Sequence, residues 1–469
     1  EEGREEDAGR FAGAVLGILM MVAGVAALLG VLLAPVFVRL AFSLWDPDKQ
    51  ALTAIVVQIL FPMTAVLVVS AWALAILNCH RRFLVSYMAP VAWNGVIIMT
   101  LVAVGFGLRW SGRDLLVAAA WGALGGGILQ LTVQLPRVVG LLKHFRLSLD
   151  RSVSGVGEAI RSFVPVVAAR GAVNIGSLLD VIVAGLLVEG AVAVLGWAQI
   201  LYLLPISLFG MSIAASELPE LSRQRKAPAG EVAVQVSAAL ERIHFLLVPS
   251  MAAFLLLGDV FIGGLYQRGE FLPTDTPVVY AVLAAYAFGL LASSGSRVLS
   301  SAFYAMRDTR TPARTAYLRV SVSLAVGISL MFPLDRFTSG DLHYGAMGLA
   351  LGASVAAWLE YALLRRRLRR ALGPHGPARS VCGKIFGATA IAALAAGGAK
   401  WILGSNVPRH EGMVAGLLGD SVPWLVQPAL AASTAFIFGV VYLTVTSRLG
   451  VGAPLRQLLG RRANSPDSL

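Results

Sequence analysis

The chain has 469 residues, 57% of them hydrophobic and only 14% charged, with a formal net charge of +12. A soluble domain carries about 25% charged residues, and a mean hydropathy of +0.76 argues against a soluble enzyme or regulator. The positive balance does not indicate nucleic-acid binding, because the basic residues fall in short loops between apolar blocks, where membrane topology accounts for them.

The apolar blocks are each long enough to cross about 30 Å of hydrocarbon at 1.5 Å per residue. Twelve follow one another in chain order. The opening stretch EEGREEDAGR reads as a charged linker without a signal peptide, and the chain is expected to be a fragment lacking its natural N-terminus. The predicted spans of the first half are Phe11 to Arg39, Ala51 to Asn78, Leu84 to Phe106, Leu115 to Leu135, Phe163 to Val188 and Val192 to Leu221. Those of the second half are Phe245 to Tyr266, Val278 to Met306, Ala316 to Leu334, Gly345 to Leu364, Lys384 to Leu403 and Leu425 to Val445. Barrel strands would be about ten residues long with strict alternation, so these blocks are helices. The connection from Pro136 to Arg161 has room for a short amphipathic surface helix around Val138 to Leu149.

The loops alternate in charge. One set holds Arg81 and Arg82; Arg137, Lys143, Arg146, Arg151 and Arg161; Arg223, Arg225 and Lys226; Arg307, Arg310 and Arg314; and the run Arg365, Arg366, Arg367, Arg369 and Arg370. The other set holds scattered cations. The positive-inside rule makes the first set cytoplasmic, with both chain ends on that side. Membrane lipids are therefore partners. Cys79 and Cys382 are expected to be free thiols, since neither has a second Cys or a His at metal-ligand spacing. The run Gly125, Gly126 and Gly127 is no P-loop, because no Gly-Lys-Ser/Thr follows. No cofactor, metal site or catalytic constellation is read from the chain.

Two cations lie well inside apolar blocks, Arg170 and Arg297, each costing about 2.5–3.5 kcal/mol at a helix centre on insertion scales. Arg170, Asn174 and Ser177 form one helical stripe; Ser293, Arg297, Ser300 and Tyr304 form another. Such stripes line polar cavities, and guanidinium groups bind phosphate oxygens well. Asp180 is the clearest acid inside a block. Glu360 and Asp259, near block ends, are read as solvated. Gly122 and Gly126 form a GxxxG pair suited to close helix packing. Pro205 suits a kink, Asp308 a helix cap, and Pro312 a first helical turn.

Three stretches carry a family resemblance: ILNCHRRFLVSYMAPVAWN from Ile76, WGALGGGILQLTVQLP from Trp121, and the pair LYLLPISLFGMSIAASELPELSR from Leu201 and AFYAMRDTRTP from Ala302. In this order they resemble the MurJ (MviN) lipid II flippase family of the multidrug/oligosaccharidyl-lipid/polysaccharide (MOP) exporter superfamily. The resemblance implies an all-α polytopic fold with twelve of fourteen helices present and the first two missing. Residues 1–150 would be the rest of the first lobe, 151–372 a second lobe of six helices, and 373–469 a C-terminal helix pair and tail. It implies flipping of the undecaprenyl-diphosphate-linked peptidoglycan precursor from inner to outer leaflet of the bacterial cytoplasmic membrane, by alternating access. It also implies contact with cell-wall synthesis machinery. Arg170, Asn174, Arg297, Ser293 and Gln199 would line the substrate cavity. Asp180 falls where the family commonly carries an acid tied to a cation such as sodium. Arg82, Pro205, Arg307, Asp308, Arg310 and Pro312 belong to the motif loops.

The chain departs from the family at Gln199, Ile200 and Leu203, where an Arg usually precedes the proline. Arg170 is expected to replace that cation. A flippase for another lipid-linked oligosaccharide, a cation or drug antiporter, and a non-transporting scaffold of envelope assembly remain as alternatives.

Overall fold

The computed structural model describes residues 2–80, 82–142, 144–211, 213, 229–306, 308–336, 338–339, 342–407 and 409–451. The chain divides into two compact units, Glu1–Gly171 and Ala172–Leu469.

The first unit holds α1 (Glu2–Ala41), α2 (Pro47–Cys79), α3 (Phe83–Leu101, continued by a π-helical turn Val102–Gly107) and α4 (Gly112–Leu141). It also holds the start of α5 (Val156–Ala184). The opening charged stretch is part of α1 rather than a linker. Its i,i+4 pair Glu6–Arg10, at 2.6 Å, supports the helix there. Ala12 and Leu16 of α1 pack with Trp72, Ala73 and Leu77 of α2 and Val138 of α4. Ser70 Oγ donates to Gln134 Oε1 and accepts from Gln130 Nε2, both at 2.8 Å, so the polar groups between α2 and α4 satisfy one another.

Close approach of α3 and α4 depends on the GxxxG pair. A Cβ at Gly122 would stand 2.7 Å from Thr100 Oγ1, and one at Gly126 would stand 2.7 Å from the Trp93 carbonyl oxygen. The expected surface helix at 138–149 does not form. Instead α4 continues through Pro136 to Leu141, and residues 145–150 are non-helical. This segment lies on α1, where Gly13 and Gly17 leave room for the carbonyls of Arg146 and Ser148, and the Ser148 N–H donates to Gly13 O at 3.5 Å.

The second unit contains the rest of α5, then α6 (Ala191–Pro205) with a π-helical turn at Ile206–Met211, and α7 (Ala229–Tyr266). Next come α8 (Thr276–Phe288), α9 (Leu290–Ala305) and α10 (Arg310–Asp335), a two-residue hairpin β1–β2 (Thr338–Ser339 with Leu342–His343), and α11 (Gly345–Leu372). Helix α12 (Arg379–Leu403), the hairpin β3–β4 (Ser405–Asn406 with Arg409–His410), α13 (Met413–Leu418) and α14 (Pro423–Arg448) complete it. Helices α12 and α14 pack on each other and on α7.

Antiparallel α10 and α11 share the most extensive helix contact of the unit. Small residues make it possible. A Cβ at Gly352 would stand 2.5 Å from Ser323 O and 2.6 Å from Gly327 N. Helix α7 begins well before the predicted span, because Val236, Ala239, Leu240 and Ile243 recur at helical spacing and are all buried.

The predicted eighth span is one apolar block but two helices. The break falls at Gly289, where a Cβ would meet Ser354 Oγ at 2.7 Å. The carbonyls it frees find partners on α11: Ser354 Oγ donates to Ala285 O at 2.6 Å, and Trp358 Nε1 to Phe288 O at 2.9 Å. Within a membrane such a break requires this internal satisfaction of backbone groups.

Asp259 is the main correction to the sequence reading. It is not solvated but fully buried on α7. Lys400 Nζ of α12 donates to its Oδ1 at 2.6 Å, and the backbone N–H groups of Asn406 and Val407 donate to Oδ2 at 3.1 and 3.0 Å. Asn406 Nδ2 then reaches Gln427 Oε1 of α14 at 2.9 Å.

Eleven spans among the described residues are long and apolar enough to cross a bilayer, with α8 and α9 together forming one. Helix α5, 29 residues long, occupies the predicted fifth span. The apolar side chains these helices leave exposed, such as Leu28, Leu32, Phe106, Leu394 and Phe436, are what a helix needs where lipid is the solvent.

Candidate functional site

Polar side chains from five helices of the second unit converge around Ser293 and Arg319. Ser293 lies one turn beyond the Gly289 break and is buried. Its Oγ accepts from Tyr202 of α6 at 3.0 Å and from Arg319 Nη2 of α10 at 3.3 Å. Arg319 Nη1 donates to Glu360 Oε2 of α11 at 2.9 Å. The Tyr202 ring stacks on Tyr286 of α8, with centroids 5.0 Å apart. Arg297, one turn after Ser293 on α9, is exposed and lies within electrostatic reach of Arg319, Glu360 and Tyr202. It has no hydrogen-bond or ion-pair partner among the described residues. Asp180 of α5 is half-buried and within electrostatic reach of Arg319.

Local structure sets this geometry. Pro205 is buried at the end of α6, and the helix continues as the π turn. Pro lacks an N–H and disturbs the helical ladder, and π turns recur at functional sites. On that turn Gly210 allows contact with α9: a Cβ there would stand 2.7 Å from Ser294 Oγ. The cluster thus sits where an irregular turn of α6 meets the start of α9.

Of the residues expected at a site, Ser293 and Arg297 share this cluster and Asp180 borders it. Gln199 is half-buried on α6. The side chains of Arg170 and Asn174, both on α5, lie outside the described residues, as does Arg307. Arg82 is exposed and precedes α3 as its cap residue. Arg310 is exposed at the start of α10, and Pro312 is buried in its first turn. The sequence reading missed Arg319 altogether, and it placed Glu360 in solvent, whereas Glu360 is buried against Arg319. Both are nearly equidistant from the tight hairpin β1–β2, so an antiparallel pairing of α10 and α11 would have set them opposite each other. Among the described residues no group of three or more His, Cys, Asp or Glu is placed to hold a metal ion.

The DTRTP loop acts as a helix cap. Asp308 Oδ1 accepts from the backbone N–H groups of Arg310 and Thr311, both at 3.0 Å. Hydrogen bonds from Thr311, and then from Arg310, hold its carboxyl below the usual 3.8. Replacing Asp308 by Ala is expected to cost about 0.5–2 kcal/mol of local stability. Hydrogen exchange at the Arg310 and Thr311 amides should therefore rise roughly fivefold. A folded-state pKa below the unfolded one contributes stability above the unfolded value, and that contribution is lost as pH falls through the folded one. Native chain and variant should therefore differ fully above pH 3.8 and converge under acid.

The architecture is shared with solved transporters. A structure titled lipid II flippase MurJ, inward closed conformation, superposes with a TM-score of 0.73 at 19% identity, covering 98% of this chain and 86% of that one. An inward-facing multidrug resistance MATE family transporter of the MOP superfamily superposes at 0.63 with 15% identity, covering 78% and 82%. These likenesses, with the multiple apolar spans, define a multi-pass membrane protein with the MOP-type transporter fold.

The sequence narrows this class. The profile of the lipid II flippase MurJ family matches residues 1–420, and the chain belongs to that family. The probable lipid II flippase MurJ of Rhizobium meliloti (strain 1021) is 30% identical over 343 residues, 72% of this chain and 60% of that protein. Its counterpart in Rhizobium tropici is 30% identical over 362 residues, 76% and 65%. The lipid II flippase MurJ of Burkholderia cenocepacia is 29% identical over 333 residues, 69% and 61%. The matched regions thus span less than two thirds of these relatives' own lengths.

Proposed function

We propose that this protein flips lipid II, the undecaprenyl-diphosphate-linked peptidoglycan precursor, from the inner to the outer leaflet of a bacterial cytoplasmic membrane by alternating access. It acts as a transporter and not as an enzyme. The observation that carries this reading is the neighbouring pair of guanidinium groups, Arg297 and Arg319, inside membrane-spanning helices. A diphosphate is the part of the substrate such a pair would recognise, since guanidinium forks match phosphate oxygens. Family membership supports lipid II over other lipid-linked saccharides.

Both chain ends would face the cytoplasm, on the side of the basic residues Arg310, Arg314 and Arg365 to Arg370. The headgroup is anionic. A membrane potential negative inside would favour its outward movement by about 2.3 kcal/mol per elementary charge per 100 mV, which gives transport a driving force without a nucleotide. Contact with wall-synthesis proteins on the outer side would hand the product on.

Cells depleted of their own lipid II flippase test the reading. Expression of the full-length protein should restore growth and wall synthesis. Lysis despite membrane insertion of the chain would count against it.

A further inference from the structure

The Arg319–Glu360 pair is lopsided. Only 9% of the Glu360 side chain is exposed, against 32% of the Arg319 side chain. A guanidinium offers five N–H donors, and the contacts to Glu360 and Ser293 occupy one position on each terminal nitrogen. Among the described residues no other hydrogen-bond partner takes its remaining donors. Beside it, exposed Arg297 has no hydrogen-bond partner among the described residues. A bridge serving the fold alone would enclose both charges. Here the carboxylate is enclosed, while one cation is partly open and its neighbour is exposed.

We propose that Glu360 is the resident anion of this site. It holds Arg319 while the site is empty, gives it up to a phosphate oxygen of the lipid-linked diphosphate, and takes it back on release. The proposal rests on the reading of the protein as a carrier of such a lipid. Carboxylate and phosphate oxygens are equivalent acceptors for a guanidinium fork, so one can replace the other without rebuilding the site. A carrier must also let go of its cargo: binding has to be favourable enough to load and weak enough to unload. A built-in competitor supplies that weakness. Ser293, fixed by Tyr202, keeps Arg319 from following the departing carboxylate.

The probe is undecaprenyl diphosphate, with uncharged undecaprenol as control, bound to the full-length protein in lipid nanodiscs. Glu360→Gln keeps the shape and a carbonyl acceptor but removes the competing charge. It should tighten diphosphate binding by about tenfold, mainly through slower release. Arg319→Ala should weaken binding by about tenfold or more, Arg319→Lys by less, and Glu360→Gln added to Arg319→Ala should bring no gain. Undecaprenol binding should be unchanged throughout. If Glu360→Gln weakens binding or leaves it unaltered, Glu360 only positions Arg319 and the exchange is overturned, whatever the chain transports. If the native chain does not prefer the diphosphate over undecaprenol, both the exchange and the proposed function fail.

Discussion

Replacing Asp259 by Ala is expected to destabilise the second unit by about 3–5 kcal/mol, the usual cost of removing one partner from a buried ion pair. The side chain is fully buried and is held by Lys400 and by two backbone N–H groups of the β3–β4 turn. Its loss leaves a largely buried ammonium and two amides without their acceptor. Lys400→Met alone should cost less, because the amides keep Oδ2. Adding Lys400→Met to Asp259→Ala should recover part of the loss, since the uncompensated charge goes while the orphaned amides stay. Thermal unfolding of the purified chain checks the order. Equal losses for both single variants would mean that the hairpin amides contribute nothing.

The second large effect falls on the site. Arg297→Ala should cost the substrate complex about 1.5–3 kcal/mol, the range for a hydrogen bond to a charged group, which is roughly ten- to hundredfold in affinity. Stability should hardly change, because the side chain is exposed and has no hydrogen-bond or ion-pair partner among the described residues. Arg297→Lys should keep part of the affinity, since a point charge remains but the fork is lost. Arg113, exposed on α4, serves as a control whose replacement by Ala leaves binding intact. Affinities of Arg297→Ala and the native chain that agree within twofold would remove Arg297 from the site.

The helices were legible because the length of an apolar block is a local property. Among the described residues the predicted blocks are helical, the eighth as two helices, and Gly122 with Gly126 pack α3 on α4 as their spacing suggests. The break at Gly289 was not legible, since the groups that tolerate it, Ser354 and Trp358, come from another helix. Arg297 stood out as a charge within an apolar run. Arg319 did not, because it follows Arg310 and Arg314 closely and reads as the end of a basic loop. Glu360 was hidden in the same way by the arginine run from Arg365. Asp259 was misread because its partners lie 141 to 148 residues further along the chain. Charges near span ends are ambiguous in sequence: loop solvent and a distant counter-ion leave the same local pattern.

Movement of lipid II between leaflets, as proposed, can be followed in vesicles. The most direct measurement reconstitutes the full-length protein into vesicles with labelled lipid II in one leaflet and follows its arrival in the other. Transfer should run well above the rate in protein-free vesicles, faster when the potential favours headgroup movement, and should be strongly reduced by Arg297→Ala. Transfer at the protein-free rate, by a chain that still binds undecaprenyl diphosphate, would contradict the proposed function and leave a lipid-binding protein that does not transport.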